Sequence, residues 1–302
     1  MRALVTGATG FVGTQLLRQL DRPIVLTRNV ERAKQSLTGL NATAFAWDPM
    51  QGPPPAEAFD GVDVVFHLAG ESVAAGRWTN SRKKAIRESR VQGTRNLVEG
   101  LIAAHNRPRV LVSASAIGYY GSRGDEVLNE DSTPADDFLA EVCVAWEREA
   151  HRATQVGVRV VPMRIGLVLG KGGALSKMLP PFKFGLGGKL GNGQQWMSWV
   201  HVADAVGLLL HAAKDESVDR AMNTVAPHAI RNAEFTTTLA SELHRPAIFP
   251  LPYFAARAIF GEFAQVLFAS QRIEPHVATQ TGYQFQFPKL QLALHEILHT
   301  DK

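Results

Sequence analysis

The sequence predicts a doubly wound α/β fold on a parallel sheet, with a smaller C-terminal lobe. Three observations carry that expectation. Short β-branched or aliphatic runs alternate with stretches of helical period, a glycine-rich turn follows the first of those runs, and after Gly166 the chain becomes dense in glycine and proline. The runs lie at 3–6, 24–27, 62–68, 110–113 and 158–164. Strands buried on both faces and separated by helix-length pieces imply βαβ units, because parallel neighbours need a crossover connection.

The first run opens "RALVTGATGFVGTQLLRQL", a strand, a glycine turn and a helix in the order a dinucleotide needs. Gly7, Gly10 and Gly13 give G-x-x-G-x-x-G. The first glycines permit the tight turn and close approach of a pyrophosphate, Gly13 lets helix and strand pack closely, and Phe11 and Val12 begin the helix whose N–H groups would receive the anion. Spaced glycines alone are weak, but a strand before them and an amphipathic helix after them make this a Rossmann-type reading.

The second run, "PIVLT", ends at Thr27 and Arg28. An NAD site places Asp or Glu here to accept from the ribose 2′-OH, whereas an Arg pairs with a 2′-phosphate, so NADP(H) is the expected cofactor. The alternative is a solvated strand-end charge at Arg28, with Arg32 and Lys34 near enough to share its role. The strand "VDVVFHLAGE" delivers Leu68, Ala69 and Gly70 to the sheet edge, where small residues let backbone lie along the cofactor. His67 reads as a satisfied core histidine, because no second ligand stands at metal spacing.

Residues 166–197 are too punctuated for a regular core and too apolar for a linker, and read as a substrate-side loop region. "SWVHVADAVGLLLHAAK" then returns to a strand and a helix that Asp204 could cap. Beyond it helical segments such as 252–267 dominate, with "GYQFQFP" a strand-like insertion. The expected division is a nucleotide-binding domain of residues 1–165, joined by 198–225, and a substrate lobe of 166–197 and 226–302.

Composition limits the function classes. With 302 residues and 45% hydrophobic content the chain can bury a substantial core. Its net charge of +4 comes from 32 basic and 28 acidic residues spread along the chain, which suits an anionic small ligand at least as well as nucleic acid. One cysteine excludes an internal disulfide, and no Cys-x-x-Cys or Cys/His cluster has zinc spacing, so no metal is expected. The N-terminal apolar run is too short for a signal or a membrane span. The expectation is a soluble cytoplasmic protein with neither membrane nor nucleic-acid partners.

"TGATGFVG", "HLAGE", "RVQGTRNLVEG" and "VLVSASAIGYYG" resemble, in order and approximate spacing, the extended short-chain dehydrogenase/reductase superfamily. "SAIGYYG", the stretch from "RIGLVLGKGG" to "SWVHVAD", "NTVAPHAIRNAEF" and "GYQFQFP" narrow this to an atypical branch, the YfcH-type epimerase-family proteins. The resemblance covers nearly the whole chain. It implies a Ser that hydrogen-bonds the substrate oxygen, a Tyr that transfers the proton, and a Lys four residues on that lowers the Tyr pKa.

By that resemblance Ser115 takes the Ser position, with Ser113 as substitute. Registering Glu147 with the family's acidic residue puts Leu139 at the Tyr position and Cys143 at the Lys position; shifting by one gives Phe138 and Val142. Neither register supplies a proton donor beside a cation. Arg90 replaces an expected Asn and is carried over as a cofactor contact, and Leu167 as a backbone contact near the nicotinamide. Tyr119 and Tyr120, just beyond Ser115, are the remaining acids, or else two aromatics packed under a loop. Cys143 reads as a buried apolar residue, and Arg77 and Trp78 as contacts for an acidic or planar substrate. The expected function is an NADP(H)-binding oxidoreductase or epimerase-like protein acting on a small molecule, with a non-catalytic NADP(H) sensor or scaffold as the rival. Relatives of this fold often pair through helices equivalent to 82–106 and 136–155, so a homodimer is one possible assembly and the oligomeric state stays open.

Overall fold

A computed structural model describes residues 1–300. The apolar runs become strands of one seven-stranded parallel sheet: β1 (Ala3–Thr6), β2 (Ile24–Thr27), β3 (Thr43–Ala46), β4 (Val64–His67), β5 (Val110–Ala116), β6 (Arg159–Ile165) and β7 (Met222–Thr224). Their spatial order is β7-β6-β5-β4-β1-β2-β3, with the switch in winding direction beside β1. In such sheets ligands bind outside the carboxyl ends at that switch.

Side chains along β1 and β4 alternate between two cores, the period-2 pattern of a sheet covered on both faces. Val5, Val64 and Phe66 pack with Leu16, Leu17, Leu208 and Leu209, from α1 (Phe11–Leu17) and a later helix. Leu4 and Val65 face Leu97, Leu101 and Ala150 on the other side. Connecting helices start where side chains can cap them. Asn29 accepts from Arg32 N–H at the head of α2 (Val30–Ser36), Thr79 from Arg82 N–H at α3 (Asn80–Ala103), and Asp137 from Leu139 and Ala140 N–H at α4 (Phe138–His151).

Strand bounds differ from the expected runs: β4 is shorter at both ends, and β5 continues through Ser115 to Ala116 beside β6. β3 and β7 were not among the expected runs. β3 is a part-exposed edge strand, and β7 is three residues, Met-Asn-Thr, buried by its neighbours rather than by an apolar sequence.

Residues 166–197 hold more order than a loop region. Leu167–Leu169 pairs in parallel with Trp199–His201, apart from the main sheet, and α5 spans Gly173–Lys183 with Pro180 and Pro181 inside it. Each proline removes a helical N–H, and the helix persists because Leu175 and Phe182, two turns apart on one face, are buried in a third core. That core also takes Trp199, Phe235 and Leu239 of α7 (Asn232–Glu242), and Leu290, Leu294 and Ile297 of the C-terminal helix.

Two further expectations are corrected together. α6 (Val202–Lys214) is capped by His201, whose ring accepts from Ala203 N–H at 3.2 Å, and not by Asp204. Asp204 is fully buried in the first turn and accepts from Gln286 N–H and Phe287 N–H, each at 2.8 Å, and from Tyr283 OH at 3.1 Å. "GYQFQFP" is therefore not a strand: a carboxylate takes the N–H groups that a neighbouring strand would have paired.

Remaining helices are α8 (Tyr253–Phe260), α9 (Ala264–Phe268), α10 (His276–Gln280) and α11 (Leu290–His299). No helix among the described residues is long and apolar enough to cross a membrane. Asp204→Ala strands two backbone donors and lowers the free energy of unfolding by about 2–4 kcal/mol; urea denaturation measures this, and an unchanged midpoint contradicts the role given to Asp204.

Candidate functional site

After Thr6 the chain turns through Gly7 at φ +68°. A Cβ there would fall 2.6–2.8 Å from the Leu68 carbonyl and Ala69 nitrogen, and one on Gly13 would fall 2.3 Å from Gly7 O. Gly10 N–H donates to Gly7 O at 2.9 Å, and Gly10 precedes α1 without any capping side chain. The N–H groups of Phe11, Val12 and Gly13 precede the first helical bond, Thr14 N–H to Gly10 O at 2.9 Å. Backbone donors and absent side chains together form a cradle that fits a pyrophosphate. The half-buried Phe11 ring is enclosed by chain from the other side: Cβ atoms on Gly170, Gly172 and Gly173 would come within 2.6, 2.9 and 2.8 Å of it. Val12 packs against the core beneath.

Leu68, Ala69 and Gly70 leave β4 directly opposite this turn. Ala69 N–H donates to Thr6 Oγ1 at 3.2 Å, the same hydroxyl lies 2.7 Å from His67 Nδ1, and His67 Nε2 lies 2.9 Å from Thr94 Oγ1. With both ring nitrogens engaged by hydroxyls, the neutral imidazole satisfies the set, and burial lowers the His67 pKa to about 4. Arg90 braces the same loop: its Nη1 donates to Glu71 O at 2.9 Å, its guanidinium lies 5.0 Å from the Trp146 ring centroid, and a Cβ on Gly70 would sit 3.3 Å from its Cζ.

At the end of β2 the Thr27 hydroxyl is drawn to the Asn29 backbone, whose N–H lies 3.3 Å away. Arg28 is exposed and makes no hydrogen bond or ion pair among the described residues. Lys34 is paired with Glu31 at 3.0 Å. Leu167 is half-buried, its N–H bonded to Ser198 O at 2.9 Å.

The expected catalytic residues lie on a buried polar network. Ser115 Oγ donates to Glu147 Oε1 at 2.6 Å, and Glu147 is held by Arg164 through Nε–Oε1 and Nη2–Oε2 contacts of 3.0 Å each. Arg164 Nη1 donates to Tyr120 OH at 2.9 Å, and Tyr120 OH donates to Asn223 Oδ1 at 2.7 Å. Glu130 Oε1 accepts Asn223 N–H at 2.9 Å. Tyr120 is fully buried, and burial pushes its phenol up to about 12. Tyr120 as a catalytic acid is thereby corrected: both functions of its hydroxyl are taken, and it supports the site from beneath. Tyr119 is half-buried, its ring 3.5 Å from the Arg164 guanidinium carbon, with its hydroxyl unbonded among the described residues.

Leu139, Cys143 and Glu147 stand four residues apart on α4, so they share the face that meets β5. Leu139 packs on Gly118, and Cys143 Sγ is 3.6 Å from Ala116 O. Burial, with Glu147 beside it, pushes the Cys143 thiol up to about 12, so it is no nucleophile at neutral pH. Trp78 packs edge-on to Phe138 at 5.4 Å, and Arg77 lines an open groove of about 600 Å³ with Phe254 and Arg257.

The network's other members, Arg164, Glu130 and Asn223, were not among the expected site residues, and Glu147 served only as a register mark. The signal existed: an acid on the apolar face of α4 and an arginine inside the buried run "RVVPMRI" demand each other, since unpaired buried charge is prohibitively costly.

Sheet order, glycine turn and carboxyl-edge loops define an atypical extended short-chain dehydrogenase/reductase. The chain belongs to the NAD dependent epimerase/dehydratase family, whose model matches residues 3–226, and a domain of unknown function, DUF1731, matches residues 251–297. It is 34% identical to the epimerase family protein YfhF of Bacillus subtilis over 303 residues, covering 99% of this chain and 98% of that one. The chloroplastic epimerase family protein SDR39U1 homolog of Arabidopsis thaliana is 40% identical over 311 residues, covering 99% and 87%. The crystal structure of human epimerase family protein SDR39U1 (isoform 2) with NADPH superimposes with a TM-score of 0.87 at 34% identity, covering 98% of this chain and 99% of that one.

A histidine whose folded pKa lies below its unfolded value stabilises while neutral. For His67 that contribution, about 3 kcal/mol at roughly 1.4 kcal/mol per pH unit, is complete above pH 6.5 and is lost as pH falls from there toward 4. An NMR titration of the histidine rings should show His67 neutral at pH 5; a midpoint at or above 6 contradicts the hydroxyl-bonded neutral ring.

Proposed function

We propose that the chain binds NADP(H) across the carboxyl edge of β1, β2 and β4 and acts as an epimerase-type oxidoreductase on a small molecule. The observation that carries the cofactor half is the pairing of the Gly7–Gly13 cradle with an unpaired Arg28 at the end of β2. The cradle suits a pyrophosphate. Arg28 offers a planar cation to a 2′-phosphate, and no acidic side chain stands in its place to favour a free 2′-OH. Bound there, the cofactor supplies hydride chemistry at its nicotinamide. The NADPH of the human relative supports the same choice.

Ser115 is the residue proposed to meet the substrate oxygen. Its hydroxyl hydrogen is committed to Glu147, so its remaining capacity is as an acceptor, and the group that suits it is a substrate hydroxyl. Tyr119, with its free phenol, is the remaining acid on the adjoining turn. The proposed substrate lobe is 166–197 with 226–302, closing over the sheet edge. A second reading, a non-catalytic NADP(H) sensor, is favoured by Leu139, Cys143 and the fully engaged Tyr120.

Calorimetric titration should show NADPH bound at least about tenfold more tightly than NADH, with the ratio collapsing in Arg28→Ala. Preference for NADH, or an unchanged ratio, sinks the cofactor assignment. Ser115→Ala should keep NADPH affinity and lose about 100-fold or more in turnover across alcohol and nucleotide-sugar panels. NADPH binding with no turnover by the unmutated chain on any panel member selects the sensor reading.

A further inference from the structure

Beyond the nucleotide site, α11 carries His295 and His299 four residues apart, on one face. That face lies against the last residue of α7, Glu242. His295 Nδ1 is 3.1 Å from Glu242 Oε2 and His299 Nε2 is 3.2 Å from the same oxygen, and the three donor atoms all lie within 4.8 Å of one another. The imidazole centroids are 4.9 Å apart with their planes 42° from parallel. Glu242 is nine-tenths buried, and among the described residues these two rings are the only ion-pair partners of its carboxylate.

The two nitrogen–oxygen separations fit ligands that share an ion. With metal–nitrogen and metal–oxygen bonds of about 2.0–2.2 Å, two ligands at a tetrahedral angle stand about 3.4 Å apart and two at a right angle about 2.9 Å. Both nitrogen–oxygen distances fall between those limits. Two imidazoles and one carboxylate suit a borderline divalent transition ion and not the all-oxygen shells of Ca²⁺ or Mg²⁺.

We propose that Glu242, His295 and His299 bind a divalent transition-metal ion of the Zn²⁺ class, water completing its shell on the solvent side. The site is a clip. It fastens α11 to the end of α7, the two helices that close the third core, and His299 Nε2 exchanges its contact with the Glu242 carbonyl, at 3.1 Å, for the ion. Neither the cofactor site nor its proposed chemistry is involved.

The test is titration of the chelator-treated full-length protein with Zn²⁺ by calorimetry, and with Co²⁺ by visible absorption. One ion per chain is expected, with micromolar or tighter affinity and a Tm raised by several degrees at saturation. Affinity should fall at least about tenfold in Glu242→Gln and in His295→Ala; the latter removes a ring that is 66% exposed and spares the core. Binding and the Tm rise should both vanish in the double variant His295→Ala/His299→Ala. Failure of the unmutated chain to bind stoichiometrically overturns the proposal, as does an ion whose affinity and Tm effect persist in a folded double variant.

Discussion

Arg164 and Glu147 meet deep in the protein through two 3.0 Å contacts, and the buried polar network around Ser115 and Tyr120 leans on that pair. Two charges removed from water cost several kcal/mol each, and their attraction offsets this only when the remaining donors and acceptors are also satisfied. Here Ser115 from β5, Tyr120 from the turn after β5, and the Glu130 carbonyl supply the rest. Asn223 of β7 extends the chain of bonds to the Glu274 carbonyl. One ion pair therefore joins α4, β5, β6, β7 and the C-terminal segment at the edge of the sheet where ligands bind.

The same pair sets the character of the α4 face that meets β5. That face carries Leu139, Cys143 and Glu147, two apolar side chains followed by a carboxylate paired with Arg164. The polar groups at this face are Glu147 and, bonded to it from β5, Ser115. The cofactor cradle is untouched, because its geometry depends on Gly7, Gly13 and the backbone of Leu68 and Ala69, on the far side of β4.

Much of this was legible in the sequence and some was not, for physical reasons. The parallel sheet and the glycine turn declare themselves through local pattern: apolar runs at strand length, and glycines where a Cβ would strike backbone. β3 and β7 carry no such run and exist because neighbouring strands bury or pair them. α5 survives two prolines through the burial of Leu175 and Phe182, a tertiary effect invisible to a local reading. "GYQFQFP" alternates like a strand, yet Asp204, some eighty residues earlier, takes its N–H groups. For the site, Ser115 was expected by resemblance, whereas the bond its hydroxyl makes depends on Glu147 and Arg164 meeting from different elements. His295 and His299 form a visible i, i+4 pair, but their third donor comes from another helix.

A double-mutant cycle on Glu147 and Arg164, read by urea unfolding, tests most directly whether this pair holds the buried network together. Glu147→Gln and Arg164→Met should each lose about 3–5 kcal/mol, because each leaves a buried partner uncompensated. The double variant should lose less than the sum by at least about 2 kcal/mol. Losses that simply add, within about 0.5 kcal/mol, would contradict the account, since independent sites behave that way.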